Sequence, residues 1–460
     1  MNPPDDRSAI RPNARLAALE YLLDADRRVD RRRGALSALA PADRALFLEL
    51  TAGAMRRRIT LDHVIQAFSS APLAKIQPLL LEILRLGAYQ LIFLRGAKAF
   101  AVVDESVKCV PPDFGPKSRG FVNAVLRRLA DSLQIEAAPA PPRSASIIDI
   151  GAGQQARFER AVLPDPKRSS EEWEAAHSGF SLEAYRLLAS AVAKPRLAAV
   201  LAAANARPAL TLRPNSLRTT AADLVERLRA EGFNCDQRSD GLIAWPEGDP
   251  SATAAFAAGL YMVQGAFAAR VATLVEPKAG ERILDVCAPP GGKACHLAEL
   301  APKATVTALA VDEIGADRIR ENAERLGLTN LMVRPWSRSA DRLPEGPWDA
   351  ILLDVPCSNS GVLDRRPEAR HALTKQAVKD LVTVQRRLLR QALELAERQP
   401  TPARIVYATC SILPREDEDL VAGVLDDFPG SDMSDPVRAY PGPDSDGGYA
   451  CLITVPSKVE

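Results

Sequence analysis

The fold of the chain is decided by one stretch, Ile283-Leu284-Asp285-Val286-Cys287-Ala288-Pro289-Pro290-Gly291-Gly292-Lys293. It predicts a short apolar strand, a turn of prolines and glycines, and the beginning of a helix that continues to Leu300. An acid at a strand end followed by a glycine-rich turn is how doubly wound α/β domains form a nucleotide-like pocket. A loop of this kind is weak evidence alone, so its meaning depends on the motifs that follow it.

Further apolar strands follow this loop in the order of a doubly wound sheet. They are predicted at residues 305–311, 331–333, 348–354 and 405–411, with helical segments between them. The first of them leads into Asp312, where such folds bind the ribose hydroxyls of a nucleoside ligand. Residues 256–460 therefore predict a Rossmann-like α/β domain.

Two cysteines and an acid are predicted where the last two of these strands end. Asp354 and Cys357 follow one strand, and Cys410 lies at the end of the other. Because the carboxyl ends of parallel strands meet at one crevice, we expect all three near the glycine loop. Packing as small buried hydrophobes is the less favoured interpretation for this pair. It suits the cysteines elsewhere in the chain better, namely Cys109, Cys235, Cys295 and Cys451.

The composition excludes several classes of protein. The 460 residues are 47% hydrophobic and 25% charged, which allows large buried cores. The 7 cysteines include no C-x-x-C pair and the 4 histidines are scattered singly, so neither a disulfide framework nor a metal site is expected. No apolar run is long enough to span a bilayer and no signal segment begins the chain, so a cytoplasmic protein is expected.

Residues 1–132 predict a helical bundle with a basic surface. Apolar residues recur at helical spacing from Asn13 to Leu129. Residues 1–130 carry 21 lysines and arginines against 13 acids, a net charge of +8, whereas the whole chain carries +1. Such a module predicts a polyanionic partner, most simply nucleic acid, with a merely solvated helical surface as the alternative.

Two segments connect the bundle to the C-terminal domain. Residues 133–175 are predicted as a linker because residues 137–144 are rich in alanine and proline. Within it, Ile147-Ile148-Asp149-Ile150-Gly151-Ala152-Gly153 imitates a cofactor loop, but no long helix or second acid-ended strand follows, so a turn is expected. Residues 176–255 predict a small α/β subdomain, with a strand at 209–213 and a helix at 221–232.

The N-terminal bundle resembles the NusB-like RNA-binding domain. The resemblance is carried by Ile83-Leu84-Arg85-Leu86-Gly87-Ala88-Tyr89-Gln90-Leu91, Val102-Val103-Asp104-Glu105-Ser106-Val107 and Gly120-Phe121-Val122-Asn123-Ala124-Val125-Leu126-Arg127. It covers nearly the whole segment and implies a module that contacts RNA or a partner domain.

The motifs of the C-terminal domain strongly resemble those of the RNA cytosine-C5 methyltransferases of the Sun family. They are, in order, Asp285-x-Cys287-Ala288-x-Pro290-Gly291-Gly292-Lys293, Val311-Asp312, Asp354-x-Pro356-Cys357-Ser358, Thr409-Cys410-Ser411 and Asp446-Gly447-Gly448-Tyr449. The small subdomain resembles the RNA-contacting subdomain of these enzymes, with Arg213 and Asn215 matching an R-x-N feature. With the NusB-like bundle in front, the chain is similar to the bacterial members that methylate 16S ribosomal RNA.

This resemblance implies S-adenosyl-L-methionine as methyl donor and a role for each motif. Cys410 would be the nucleophile that adds to C6 of cytosine, Cys357 would assist product release, and Asp354 would hydrogen-bond the base while lining the cofactor pocket. Asp312 would bind the ribose. The methionine part would be held by Cys287, Ala288, Pro289, Pro290, Gly291, Gly292 and Lys293. The implied partner is small-subunit ribosomal RNA or an assembling subunit, and a monomer is the default expectation.

The chain departs from the family pattern at two places. Gly265 stands where the family usually has an acid after Gln264, and the mildest consequence is the loss of a helix-capping carboxylate. The usual adenine-contacting Asp after the third strand is replaced by Arg334-Pro335-Trp336, and Asp341 comes several residues late. One hypothesis is that Trp336 stacks on the adenine instead.

Two alternatives to an RNA methyltransferase stay open from the residues alone. A DNA cytosine-C5 methyltransferase would use a nucleophile in a Pro-Cys motif such as Pro356-Cys357, but Thr409-Cys410-Ser411 and the NusB-like bundle argue against it. An RNA-binding or antitermination-type factor with a weakened catalytic domain would explain the two departures. The intact thiols and acids of the motifs oppose that interpretation.

Overall fold

The computed structural model describes residues 13–24, 34–36, 38–139, 141–246, 248–337, 342–443 and 445–458. The chain divides into two compact units, residues 1–186 and residues 187–460. Within the described ranges, no helix combines the length and the apolar character that crossing a membrane requires. Asp341 lies outside the described residues.

The first unit begins with the predicted helical bundle. Its helices are α1 (Ala14–Leu23), α2 (Pro41–Phe68), α3 (Pro78–Phe93), α4 (Ala99–Lys108) and α5 (Gly115–Ser132). Helix α3 starts at a proline, whose missing N–H costs nothing in a first turn, and most of its apolar residues are buried. The Tyr89 hydroxyl of α3 donates to Glu49 Oε1 of α2 at 2.6 Å, which joins the two helices.

Most of the predicted linker is folded, so that prediction is wrong. Strands β1 (Leu133–Ala137), β2 (Ile147–Gly151) and β3 (Gln154–Phe158) form an antiparallel sheet in the order β1-β3-β2, and helix α6 (Ser170–Ser178) follows. Phe158 and Trp173 share the buried core of the bundle, and the Thr60 hydroxyl donates to the Ala176 carbonyl oxygen at 2.6 Å. The stretch that imitates a cofactor loop is therefore a strand and a hairpin turn inside the first unit, where Ile148 is part of the core.

The second unit starts with the predicted small subdomain. Its elements include α8 (Lys194–Asn205), β4 (Leu210–Pro214), α9 (Ala221–Ala230), β5 (Asp236–Gln237), β6 (Ile243–Trp245), α10 (Ala254–Ala257) and β7 (Tyr261–Val263), and α7 (Leu182–Ala191) spans the division between the units. The strands form an antiparallel sheet in the order β5-β6-β4-β7, against which α9 packs. Because β7 pairs with β4, the predicted border at residues 255/256 is wrong and the sheet extends to Val263.

A mixed sheet, with helices on both faces, forms the body of the second unit. The elements are α11 (Ala266–Leu274), β8 (Arg282–Asp285), α12 (Gly292–Leu300), β9 (Thr305–Ala310), α13 (Glu313–Leu326), β10 (Leu331–Pro335), β11 (Ala350–Asp354), α14 (Ala369–Ala372), α15 (Lys375–Glu397), β12 (Ala403–Thr409), α16 (Glu418–Leu425), β13 (Asp432–Met433), β14 (Val437–Ala439) and β15 (Gly448–Val455). The strand order is β10-β9-β8-β11-β12-β15-β13, and β14 also pairs with β15. Strands β8 to β12 are parallel, and β15 is antiparallel to β12. The chain order reverses between β8 and β11, which is where such sheets bind ligands.

Both faces of this sheet are buried, which explains the nearly continuous apolar runs of its strands. Ile283 of β8 and Leu352 of β11 pack into one core, whereas Leu284 and Leu353 pack into the core on the opposite face. Because both faces are apolar, polar side chains that bind a ligand have to lie at the ends of the strands, and here they lie at the carboxyl ends.

Arg213 and Asn215 are buried and attach the small subdomain to the large sheet. Arg213 is 4% exposed, forms an ion pair with Glu299 of α12, and donates through Nε to Gln264 Oε1 at 2.6 Å. Asn215 Nδ2 donates to the carbonyl oxygens of Gly259 at 2.9 Å and Leu326 at 3.0 Å. The R-x-N feature therefore holds two parts of the unit together in this structure.

The folded state of residues 133–175 gives a stability prediction. Phe158→Ala removes a ring that is 3% exposed in the bundle core, so we expect it to lower the free energy of unfolding of the first unit by about 3 kcal/mol. Phe100→Ala is the matched control, because Phe100 is 76% exposed on α4, and it should change that energy by less than about 0.5 kcal/mol. Hydrogen exchange of α2 peptides in the full chain measures the unfolding free energy of the first unit in both variants. Equal protection in the two variants would contradict the shared core.

Candidate active site

Gly291 is the residue on which the loop after β8 turns. Its φ is +98°, and a Cβ at this position would meet Ile319 of α13 at 3.2 Å, so a larger residue would be strained here. Gly291 directly precedes α12, whose first-turn amides have no carbonyl partners within the helix. The loop therefore forms a backbone cradle at a helix N-terminus, which suits the carboxylate of an amino-acid ligand.

Asp312 follows β9 and is exposed at the same edge of the sheet. Its Oδ1 accepts from the Gly315 amide at 2.6 Å and thereby caps α13. The cap uses one carboxylate oxygen, so the second can accept a ribose hydroxyl.

Lys293, Asp354 and Asp285 form a charged cluster where β8 and β11 end. Lys293 Nζ donates to Asp354 Oδ2 at 2.6 Å. Burial lowers the pKa of Lys293, but the charge and hydrogen bond of Asp354, together with the charges of Cys410 and Asp285, outweigh it, so the pKa is raised overall. Asp285 is 1% exposed, and burial followed by the Asp354 charge raises its pKa to about 7. Neither oxygen of Asp285 forms a hydrogen bond of good geometry with a described residue. The Cys287 amide lies close enough to oppose a small part of the rise in the pKa of Asp285.

Cys357 and Cys410 are in direct contact. The two Sγ atoms are 3.2 Å apart, although the residues come from the loops after β11 and β12. Asn359 holds both: its Nδ2 donates to the Cys357 carbonyl oxygen at 3.0 Å, and its Oδ1 accepts from Cys410 Sγ at 3.3 Å. Asn359 has a φ of +57°, a left-handed conformation that asparagine tolerates better than most residues.

The two thiols differ in environment. Cys357 is 8% exposed, whereas Cys410 is half-buried. The hydrogen bond with Cys410, then burial, and then the charges of Cys410 and Glu416 raise the pKa of Cys357 well above its usual value. Cys357 therefore keeps its proton near neutral pH.

Sequence reasoning missed several polar residues that surround the pair. Ser358, Ser360 and Ser411 form a buried hydroxyl cluster with the carboxylate of Glu416. The serines stand next to the cysteines in the motifs, and that was the available signal. No sequence signal indicated Glu416, because it lies in a turn several residues beyond the end of β12.

The structure explains one departure from the family pattern and argues against the hypothesis offered for the other. Gly265 is the N-cap residue of α11 and has no side-chain cap, and a Cβ there would lie 1.7 Å from Asp446 Oδ2. A carboxylate from the closing strand motif thus fills the place of a side chain at 265. The hypothesis that Trp336 stacks on adenine is not supported, because its ring is 7% exposed, packs in the core and donates through Nε1 to the Arg342 carbonyl oxygen.

Comparisons with known proteins match most of the chain. Residues 272–438 match the family described as 16S rRNA methyltransferase RsmB/F, residues 190–243 its ferredoxin-like domain, and residues 12–131 the NusB family. Ribosomal RNA small subunit methyltransferase B of Vibrio cholerae is 31% identical over 90% of this chain and 90% of its own length. The chain belongs to the RsmB/F family of 16S rRNA methyltransferases.

Solved structures agree with this family. The crystal structure of PH0851 covers 96% of this chain and 98% of its own at a TM-score of 0.74 and 20% identity, which shows the fold. A methyltransferase homolog protein from Pyrococcus horikoshii is 26% identical, with a TM-score of 0.53 over 62% of this chain and 99% of its own. The predicted fold class, a NusB-like helical domain followed by a Rossmann-like methyltransferase domain, is confirmed, and so is S-adenosyl-L-methionine as the cofactor of this family.

The environment of the thiols in this RsmB/F family member gives a prediction on reactivity. We expect iodoacetamide to label Cys410 before Cys357 at pH 7, and the labelling rate of Cys357 to rise about tenfold per pH unit while its thiol stays protonated. In Cys410→Ala the largest cause of the raised pKa of Cys357 is gone, so Cys357 should react faster at pH 8 than in wild type. Mass spectrometry of labelled peptides measures the rates. Unchanged Cys357 labelling in Cys410→Ala would contradict the contact.

The burial of Asp285 gives a prediction on stability. The pKa is about 7 in the folded chain against an ordinary value of 3.8, so the folded state retains the proton between these values. Stability therefore falls as pH rises through this window, by about 4 kcal/mol for a shift of this size. Asp285→Asn lacks this loss, so its unfolding free energy relative to wild type should increase by about that amount between pH 4 and pH 8.

Urea denaturation without cofactor, followed by tryptophan fluorescence, measures this difference. Asp317→Asn is the control, because the Asp317 side chain is 59% exposed. A relative stability of Asp285→Asn that does not change with pH would show that Asp285 is ionised in the folded chain.

Proposed function

We propose that this RsmB/F family member transfers a methyl group to C5 of a cytosine in small-subunit ribosomal RNA through a covalent adduct with Cys410. The observation that carries the proposal is the pair of thiols after adjacent parallel strands, 3.2 Å apart. Asp354 ends the first of these strands and stands beside Lys293.

The chemistry requires a thiol because C5 of cytosine is a weak carbon nucleophile. When the Cys410 thiolate bonds to C6, the electrons of the C5–C6 double bond move toward N3, and C5 becomes enamine-like. N3 takes up a proton as the adduct forms, and Asp354 accepts hydrogen bonds from this N3–H and from the exocyclic amine, which favours the adduct. The cofactor supplies an electrophilic methyl group to C5. Water then takes the C5 proton, the electrons of that C–H bond re-form the C5–C6 double bond as the C6–S bond breaks, and Cys410 leaves as a thiolate. N3 gives up its proton, which leaves 5-methylcytosine.

The environments of the thiols support Cys410 as the nucleophile. Cys357 is the more buried sulfur and its pKa is raised, so it keeps its proton while its Sγ lies 3.2 Å from Cys410 Sγ. A protonated thiol beside the adduct suits the role of Cys357 in product release, because it can assist Cys410 as a leaving group.

The residues present fit S-adenosyl-L-methionine at its methionine and ribose ends. The Gly291 cradle at the start of α12 suits the methionine carboxylate, and Asp312 suits the ribose hydroxyls. Residues 334–337 offer no acid for the adenine amine, so we propose that the adenine is held with one hydrogen bond fewer, at a cost of about 1 kcal/mol.

Three features support ribosomal RNA as the substrate. The chain has a NusB-family segment, its first 130 residues carry a net charge of +8, and its curated relative from Vibrio cholerae is named a ribosomal RNA small subunit methyltransferase. We propose that it acts on the RNA alone or on a partly assembled subunit.

Methyl transfer from labelled S-adenosyl-L-methionine to small-subunit ribosomal RNA tests the proposal. We expect wild type to methylate cytosine C5 and Cys410→Ala to show no transfer, since no adduct forms without the nucleophile. Cys357→Ala should accumulate an RNA–protein adduct that survives denaturation, because release fails after the bond to Cys410 has formed. The half-buried Cys109, in the other unit, gives the control Cys109→Ala, which should methylate like wild type.

Each other outcome contradicts a part of the proposal. Transfer by Cys410→Ala, with an inactive Cys357→Ala that forms no adduct, would reverse the two roles. No transfer by wild type to any RNA would favour an RNA-binding factor with a weakened catalytic domain.

A further inference from the structure

A buried carboxylate lies behind the two thiols. Glu416 ends a short turn, Pro414–Glu416, that follows Cys410 in the chain, and its side chain is 0% exposed. The Tyr407 hydroxyl donates to the Glu416 carbonyl oxygen at 2.6 Å, which ties the turn to β12. Among the described residues no lysine or arginine forms an ion pair with Glu416, so hydrogen bonds must stabilise its carboxylate.

Those hydrogen bonds come from both cysteine loops. In the loop after β11, the Ser358 amide donates to Glu416 Oε1 at 2.8 Å and the Ser358 hydroxyl donates to Oε2. In the loop after β12, the Ser411 hydroxyl donates to Oε2 at 2.6 Å. Ser358 directly follows Cys357 and Ser411 directly follows Cys410, so one carboxylate holds the neighbours of both thiols.

A third element braces the same group. Gln385 of α15 donates through Nε2 to Glu416 Oε1 at 3.0 Å and to the Pro356 carbonyl oxygen at 2.8 Å. Pro356 precedes Cys357, so the loop after β11 is held on both sides of its thiol. Gln385 is 0% exposed, which keeps water from competing for these bonds.

We propose that Glu416 is a positioning residue that sets the spacing of Cys357 and Cys410. Its consequence for methylation rests on the proposed function, in which both sulfurs must reach one base. A displacement of about 1 Å at a reacting group costs about 100-fold in rate. The spacing itself is a property of the protein without RNA or cofactor.

Thiol–disulfide exchange measures that spacing without any catalysis. In a buffer of reduced and oxidised glutathione, one thiolate displaces glutathione from its disulfide and the second thiol displaces the other glutathione. The net reaction is protein dithiol plus glutathione disulfide giving protein disulfide plus two glutathiones. Its equilibrium constant reports how close the two sulfurs are held, and a tenfold change equals about 30 mV in reduction potential.

Three variants of the full chain separate positioning from stability. Glu416→Ala removes the acceptor from both loops and should lower the equilibrium constant at least about tenfold. Glu416→Gln keeps one acceptor oxygen, and the serine hydroxyls can reverse to accept from its amide, so it should stay within about threefold of wild type. Glu281→Gln is the matched control: Glu281 is a largely buried acid paired with Arg404, it precedes β8 at the opposite edge of the sheet, and its loss should leave the exchange unchanged.

Methylation gives the second measurement. Glu416→Ala should lower kcat about 100-fold while the Kd for S-adenosyl-L-methionine stays within about twofold, and Glu416→Gln should restore most of kcat. Equal exchange constants for Glu416→Ala and Glu281→Gln would overturn the proposal. So would an exchange constant and a kcat of Glu416→Gln that are as low as those of Glu416→Ala. If wild type methylates no RNA, the proposed function fails, but the exchange constants still decide whether Glu416 positions the thiols.

Discussion

Parallel pairing of β11 with β8 on one side and with β12 on the other is the constraint on which the active site depends. In this register Leu352 faces Asp285, and Asp354 faces Ala408. All three strands run in one direction, so the glycine loop, the acid and both cysteine loops leave the sheet at the same edge. The antiparallel β15 brings the closing motif to that edge as well, because Thr409 pairs with Tyr449.

Placing this much charge at a buried strand edge is costly, and the site limits the cost by pairing Asp354 with an ammonium and by raising the pKa of Asp285. Lys293 contacts Asp354 at 2.6 Å, whereas Asp285, 1% exposed and with a pKa of about 7, holds its proton through much of the range below neutral pH. The buried carboxylate of Glu416 is stabilised without a cation in the described part of the chain, by hydrogen bonds from Ser358, Ser411 and Gln385. The hydrogen bonds that stabilise each group also fix the loops that carry the chemistry.

The departure from the family pattern at Gly265 shows how a residue distant in the chain can compensate for a missing side chain. Gly265 lacks a capping side chain, and the carboxylate of Asp446 occupies the space, paired with Arg365 at 2.9 Å. A carboxylate is therefore kept near the start of α11 although it comes from a different part of the chain. The adenine end shows no such replacement in the described residues, because Trp336 is used for packing.

For the Rossmann-like domain, the sequence by itself determined the order of the parallel strands, the glycine loop and the acids and thiols at the strand ends. It also indicated both domain families, because these features depend on local apolar patterns and contiguous motifs. Only the tertiary structure decided that Phe158 packs in the bundle core, that Arg213 is buried against Glu299, and that β7 belongs to the small sheet. It alone also decided that Glu416 joins two loops, across 58 residues to Ser358. Such contacts form between residues far apart in the chain, and their hydrogen bonds leave no periodicity or motif in the sequence from which to predict them.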